Sequence, residues 1–271
     1  MADPSPPTTS TDTSARAAAH QPLPSATTPK SYTYYHAGPL FTLGDLSTNI
    51  ALSTLISTCS SASQKFTPIL PQDLEARDAT PHSIRDQDLR ALLSCDAALF
   101  VYDGAELDAG TVVEYVYAKA ADVPCVILRT DFRGGGDQGD DVGGGGDGVE
   151  ADGKGKGKGE TDKWNLMSSN WPRTKAVRVD SMAGYKHGLA REGGSVKGNV
   201  RVVEGMLRET AEMVVRAMEE VVALPPRLPR ELRAHVYEWL ALMPGLRDGG
   251  DGENVRWARG VLEGKVEKGL L

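Results

Sequence analysis

The sequence predicts an α/β protein: a doubly wound parallel sheet of about five strands, with extra helices towards the C-terminus. Three observations carry this. Two near-continuous apolar runs, "AALFVYD" (97–103) and "PCVILRTD" (124–131), have the length and texture of strands buried on both faces. Between them lies "GTVVEYVYAKAA" (110–121), a stretch of helical texture. The same strand–helix alternation repeats upstream, which calls for parallel strands joined by crossovers.

The elements follow in order. "SYTYYHAGPLF" (31–41) reads as the first strand from its aromatic alternation, ending at Gly38-Pro39. Leu46, Ile50, Leu52, Leu55 and Ile56 then form the apolar face of a helix. "KFTPILP" (65–71) is a short second strand. Thr80-Pro81 marks a helix start, a capping residue followed by proline in the first turn, and that helix runs through "HSIRDQDLRALLS". After the two apolar strands, residues 134–160 are glycine and mixed charge with almost no apolar side chains, the composition of a flexible surface insertion. Its Lys-Gly alternation is no phosphate loop, since it lacks the Gly-Lys-Ser/Thr ending. "KAVRVDSM" reads as a fifth strand, and a long amphipathic helix spans about 200–222, with Val203, Met206, Leu207, Ala211, Val214 and Val215 on one side. Two further helices are expected in "PPRLPRELRAHVYEWLALMP" and "ENVRWARGVLEGKVEKG". The expected organisation is a disordered tail over 1–30, an α/β domain over 31–196 and a helical extension over 197–271.

Composition narrows the function classes. The net charge of -7 lacks the basic excess of a nucleic-acid binder. Three dispersed cysteines have no metal-ligand spacing and fit a reducing compartment better than a disulfide scaffold. No apolar run approaches the ~20 residues that span a bilayer, and the N-terminus lacks a signal-peptide core. The expectation is a cytoplasmic protein that binds neither nucleic acid nor membrane and uses no metal.

In a doubly wound sheet the site lies beyond the carboxyl ends of the strands. "YDGAELDAGT" (102–111) is one of the loops found there, and it leads into Glu114. Two readings of its acids compete. Thr111-x-x-Glu114 fits a capping box, with Asp108 favouring the positive end of the helix. Alternatively, an ionised Glu beside a glycine at the rim of a sheet is a nucleophile. The local pattern does not decide between them.

Taken together, "YYHAGPLF", "SIRDQDLRALLSCDAALFVYDGAELDAGTVVEYVYAKAADVP" and "WNLM" resemble the nucleoside 2-deoxyribosyltransferase family, its fungal-type members in particular, over about Ser31 to Met167. The resemblance implies a flavodoxin-like fold. It also implies cleavage of the N-glycosidic bond of 2'-deoxynucleosides, with the deoxyribosyl group passed through an enzyme ester to a second free nucleobase, no cofactor, and a homo-oligomer. It makes Glu114 the nucleophile, Asp108 the carboxylate contacting sugar and base, and Asp88 the acid near the departing base. Tyr34 is matched to the tyrosine that orients Glu114, with Tyr35, one residue out of phase, as its rival. Asn165 and Met167 border the pocket, while Gly38 and Gly110 allow close backbone approach. The chemistry asks for such a set, because retaining glycosyl transfer needs a nucleophilic carboxylate and a proton donor for the leaving base. Relatives that hydrolyse 5'-monophosphates carry serine and arginine after the first strand. Here "AGPLF" has neither, which favours a nucleoside, with Arg133 and Arg173 left as candidate phosphate contacts.

Overall fold

The structure, a computed structural model, describes residue 1 and residues 29–74, 80–104, 106–131, 167–168, 171–192, 195–243 and 252–271. The expected N-terminal tail and the insertion at 134–160 lie almost wholly outside these residues. The strands are β1 (Lys30–Ala37), β2 (Gln64–Ile69), β3 (Ala97–Val101), β4 (Cys125–Arg129) and β5 (Thr174–Arg178). They form one parallel sheet in the order β2-β1-β3-β4-β5. This is the flavodoxin-like order, in which the chain reverses direction across the sheet between β1 and β3.

Every residue of β3 and β4 is buried, as their unbroken apolar texture requires. One face of the sheet packs on α1 (Leu43–Cys59) and α6 (Val196–Ala223), through Leu52, Ile56, Val214 and Met218 against Tyr34, Leu99 and Val126. The other packs on α3 (Pro81–Ser94), α4 (Ala109–Ala120), α7 (Arg230–Ala241) and α8 (Glu253–Glu267), through Leu92, Tyr115, Tyr237 and Ala258 against Tyr35, Phe100 and Ile127. A short α2 (Pro71–Leu74) follows β2. The helices beyond 197 thus supply core on both faces of the sheet.

Caps set the helix entries. Thr80 accepts from Ser83 N at 3.2 Å, with Pro81 opening α3. Thr42 caps α1 by a reciprocal capping box with Asp45. One helix, α5 (Ser181–Glu192), is not legible from apolar periodicity, because none of its residues is buried. It lies against α6 through Gly188, where an added Cβ would come within 2.5 Å of Val202 Cγ1.

Candidate active site

The reversal between β1 and β3 leaves a crevice at the carboxyl ends of these strands, and the chain brings its acids there. Helix α4 follows β3 and begins at Ala109, so Asp108 is its N-cap. The Oδ2 of Asp108 accepts from Thr111 N at 2.7 Å and from Thr111 Oγ1 at 2.8 Å. The capping box centred on Thr111 is therefore corrected. Asp108 is the cap, Thr111 sits in the first turn, and Glu114 does not reach back to a cap amide. Gly110 fits beside this cap because a Cβ there would stand 3.2 Å from Asp108 Oδ2.

Glu114 instead faces β1. Its Oε1 accepts a hydrogen bond of 2.7 Å from the hydroxyl of Tyr35. Here the assignment of the orienting tyrosine is corrected: Tyr35 touches Glu114, and Tyr34 does not. Successive strand residues point to opposite faces. Tyr34 therefore packs on the α1–α6 side beside His36, at 5.9 Å between ring centroids, while Tyr35 joins the α3–α4 side. Both tyrosines are fully buried, so burial alone does not distinguish them.

Electrostatics tie the acids together. Burial pushes the Glu114 carboxyl up to about 7; the Tyr35 hydrogen bond opposes this, and the charges of Asp88 and Asp108 add to it. Tyr35 is raised well above the ordinary phenol range, first by burial and then by Glu114 and Asp88, so it stays a proton donor. Asp88, on α3, thus lies within electrostatic reach of both. Asp86, two residues earlier on the same helix, is engaged by its neighbour Arg85 at 3.2 Å.

On the α1 side of the crevice is a cleft of about 460 Å³, walled by Pro39, Phe41, Asn49, Asp103 and Asp108 among others. Asp45 and Glu106 add two more carboxylates, and among the described residues no lysine or arginine lines the cleft. Glu114 does not line it either; it lies six residues beyond Asp108 along α4, on the side facing β1. Gly38 lets the β1–α1 turn approach β3, since an added Cβ would come 3.0 Å from Val101 Cβ. Asn49 holds the same turn by donating to Pro39 O at 3.1 Å.

Two pins at this end escaped sequence reasoning. Asp103 Oδ1 accepts from Thr130 N at 2.6 Å and from Asp131 N at 3.0 Å, which ties the ends of β3 and β4 together. Ser168 meets the Tyr102 hydroxyl just past β3. Met167 beside it is 77% exposed, and its carbonyl accepts from Trp171 Nε1 at 2.9 Å. Asn165 and Arg133 lie outside the described residues. Arg173 is removed as a phosphate contact. It lies just before β5, at the opposite end of the sheet, buried in an ion pair of 3.1 Å with Asp122 and donating to Leu270 O at 3.0 Å. His36 is fully buried, and burial lowers it to about 4, so it is neutral at physiological pH. Among the described residues no group of three or more His, Cys, Asp or Glu could hold a metal ion.

Asp108 has two separable duties, cap and charge. Asp108→Ala is expected to cost about 1 kcal/mol of stability, and Asp108→Asn, itself a good cap, much less. Both variants remove a negative neighbour of Glu114 and lower its pKa. Thermal melts check the first expectation, and carboxyl titration by NMR checks the second.

Fold and crevice together define a flavodoxin-like α/β protein with a half-buried carboxylate, hydrogen-bonded by a tyrosine, at the switch point of its sheet. Residues 34–166, just under half of the chain, match the family model described as "Nucleoside 2-deoxyribosyltransferase". Among solved structures, a conserved protein from Enterococcus faecalis V583 is similar at 30% identity, over 37% of this chain and 64% of that one, with a TM-score of 0.34. A 2-desoxiribosyltransferase from Leishmania mexicana is similar at 26% identity, over 38% of this chain and 66% of that one, with a TM-score of 0.31. The chain thus spans a little under two thirds of the length of these two proteins. No curated protein sequence matches it. Among the described residues, no helix is long and apolar enough to cross a membrane.

Proposed function

We propose that the protein transfers the 2-deoxyribosyl group of a deoxynucleoside to a second nucleobase through an ester on Glu114. The observation that carries this reading is the 2.7 Å hydrogen bond from Tyr35 to Glu114, placed between the charges of Asp88 and Asp108 at the switch point of the sheet. Such a carboxylate has what a retaining glycosyl transfer needs: a held rotamer, little competing solvent and a nearby acid. Glu114 attacks the anomeric carbon as the C–N bond breaks, and the electron pair of that bond leaves on the base nitrogen. Asp88 is assigned to protonate the departing base and to take the proton back from the incoming one. Asp108 is assigned to the sugar while it caps α4. Burial raises the Glu114 carboxyl to about 7, and the anionic form is the one that attacks. Transfer to water in place of a base would make the protein a hydrolase.

The cleft also bears on substrate charge. Among the described residues Asp45, Asp103, Glu106 and Asp108 line it without a lysine or arginine, an environment that repels a 5'-phosphate and admits an uncharged nucleoside. We place such a protein in the cytoplasm as a homo-oligomer that needs no cofactor.

The test is to incubate the protein with deoxyinosine and free adenine and to separate the products by chromatography. Deoxyadenosine supports transfer, whereas hypoxanthine with free deoxyribose indicates hydrolysis. The 5'-monophosphate of the same nucleoside is expected to turn over at least about 100-fold less well, given several like charges at short range. No product from either donor counts against an enzyme.

A further inference from the structure

Helix α6 carries one apolar stripe along its whole length, and only half of that stripe is covered. Val196, Val200, Val203, Leu207, Thr210, Val214, Ala217 and Val221 recur at spacings of four and three, the a/d repeat of a coiled-coil seam. Thr210, Val214, Ala217 and Val221 are buried, and the last three pack in the core on the α1 side of the sheet. The first half of the helix carries the same stripe, but there Val196 is 82%, Val200 54% and Val203 47% exposed. Helix α5 leaves the stripe open, because it contacts α6 on another side, at Val202 and Met206. Among the described residues, these valines are left exposed over two turns of the helix.

We propose that residues 196–207 of α6 form an interface with the same segment of a second copy, packed antiparallel about a two-fold axis near residues 201 and 202. This inference is independent of the chemistry at Glu114. The occupant follows from the self-complementarity of the segment. The four-three-four spacing is unchanged on reversal, so Val200 meets Val203 of the partner subunit and Val196 meets Leu207 of the partner subunit, each pair twice. Charge agrees with this register. Lys197 and Glu204 each immediately follow a seam residue, and antiparallel packing sets such flanking positions opposite each other. Lys197 then faces Glu204 of the partner subunit, and Glu204 faces Lys197 of the partner subunit. Both side chains are exposed. In a parallel pairing these two positions face other parts of the partner helix and do not meet each other, so the Lys197–Glu204 match is open only to the antiparallel arrangement. Charge therefore selects the antiparallel pairing.

The test is sedimentation of the full chain across a dilution series, with far-UV circular dichroism as a check that each exposed substitution leaves the fold intact. The wild type is expected to sediment as a dimer, or as a multiple of one, that loses mass on dilution. Val203→Glu should remove this association across the series. Glu204→Lys should raise the dissociation constant by about tenfold, because two attractive rim pairs become repulsive. Lys197→Glu should do the same, and the double swap Lys197→Glu/Glu204→Lys should return it to within about threefold of wild type. A wild type that is monomeric at the highest concentration overturns the proposal. So does an assembly indifferent to Val203→Glu, and so does a double swap no tighter than either single variant.

Discussion

Replacing Glu114 by Gln is expected to lower turnover by roughly 10³-fold or more, the scale seen when a covalent nucleophile is removed, while the fold survives. The amide keeps an oxygen for the Tyr35 hydroxyl and nearly the same volume, so packing between α4 and β1 changes little. It cannot form the glycosyl ester. The same substitution carries a stability signature whose sign follows from the titration. Burial raises Glu114 from 4.5 to about 7 in the folded protein. A carboxyl raised in this way favours folding fully below its unfolded pKa, and that contribution is lost as pH rises through the folded value. Wild type therefore loses stability between about pH 4.5 and 7 that the Gln variant keeps. Relative to wild type, Glu114→Gln should be near neutral at pH 4 and stabilising at pH 8, by up to about 3 kcal/mol. Denaturant titrations at the two pH values check this. A Gln variant that gains stability while losing turnover separates a catalytic carboxylate from a structural one.

Tyr35→Phe is expected to lower kcat by about 10- to 100-fold, the scale on which misplacing a reacting group by about an ångström costs rate. It should also move the acid limb of the kcat/KM profile to higher pH. The Tyr35 hydroxyl stabilises the Glu114 carboxylate, so without it the carboxyl, already raised to about 7, rises further. Tyr35 is a positioning residue in this account, and the shifted limb is what a merely structural tyrosine would not produce. Tyr34→Phe is the control. Its hydroxyl lies on the far face of the sheet, among α1 and α6, so its pH profile should match wild type.

The tyrosine pair shows where sequence reasoning stops. The five strands and most of the helices are legible because long apolar runs and apolar periodicity survive without knowledge of neighbours. Phase is not legible on β1, a central strand buried on both faces, because Tyr32 and Tyr34 on one parity and Tyr35 and Ala37 on the other are all buried, so the alternation that marks the strand does not say which face meets α4. Only the packing of α4 against β1 shows that the odd-numbered residue meets Glu114. The carboxylates Asp88, Asp108 and Glu114 are legible from their motifs. The partition of duties at 108–114 is not, because Asp108 and Thr111 are both competent caps and the choice rests on where α4 begins. Helix α5 has no buried residue and so no periodic signal. In α6 the repeat is plain, but the sequence does not say that the sheet covers only the second half.

The central claim is that Glu114 becomes esterified, and trapping that ester tests it most directly. A 2'-fluoro-arabinosyl nucleoside slows both formation and breakdown of the glycosyl ester, because the electronegative fluorine destabilises the oxocarbenium-like state on either side of it. After incubation with wild-type protein, mass spectrometry is expected to find the 2-deoxy-2-fluoroarabinosyl adduct on Glu114, in the tryptic peptide Ala91–Lys119. An adduct on Asp88 or Asp108, or an unmodified Glu114 in protein that turns over the parent nucleoside, would contradict the account.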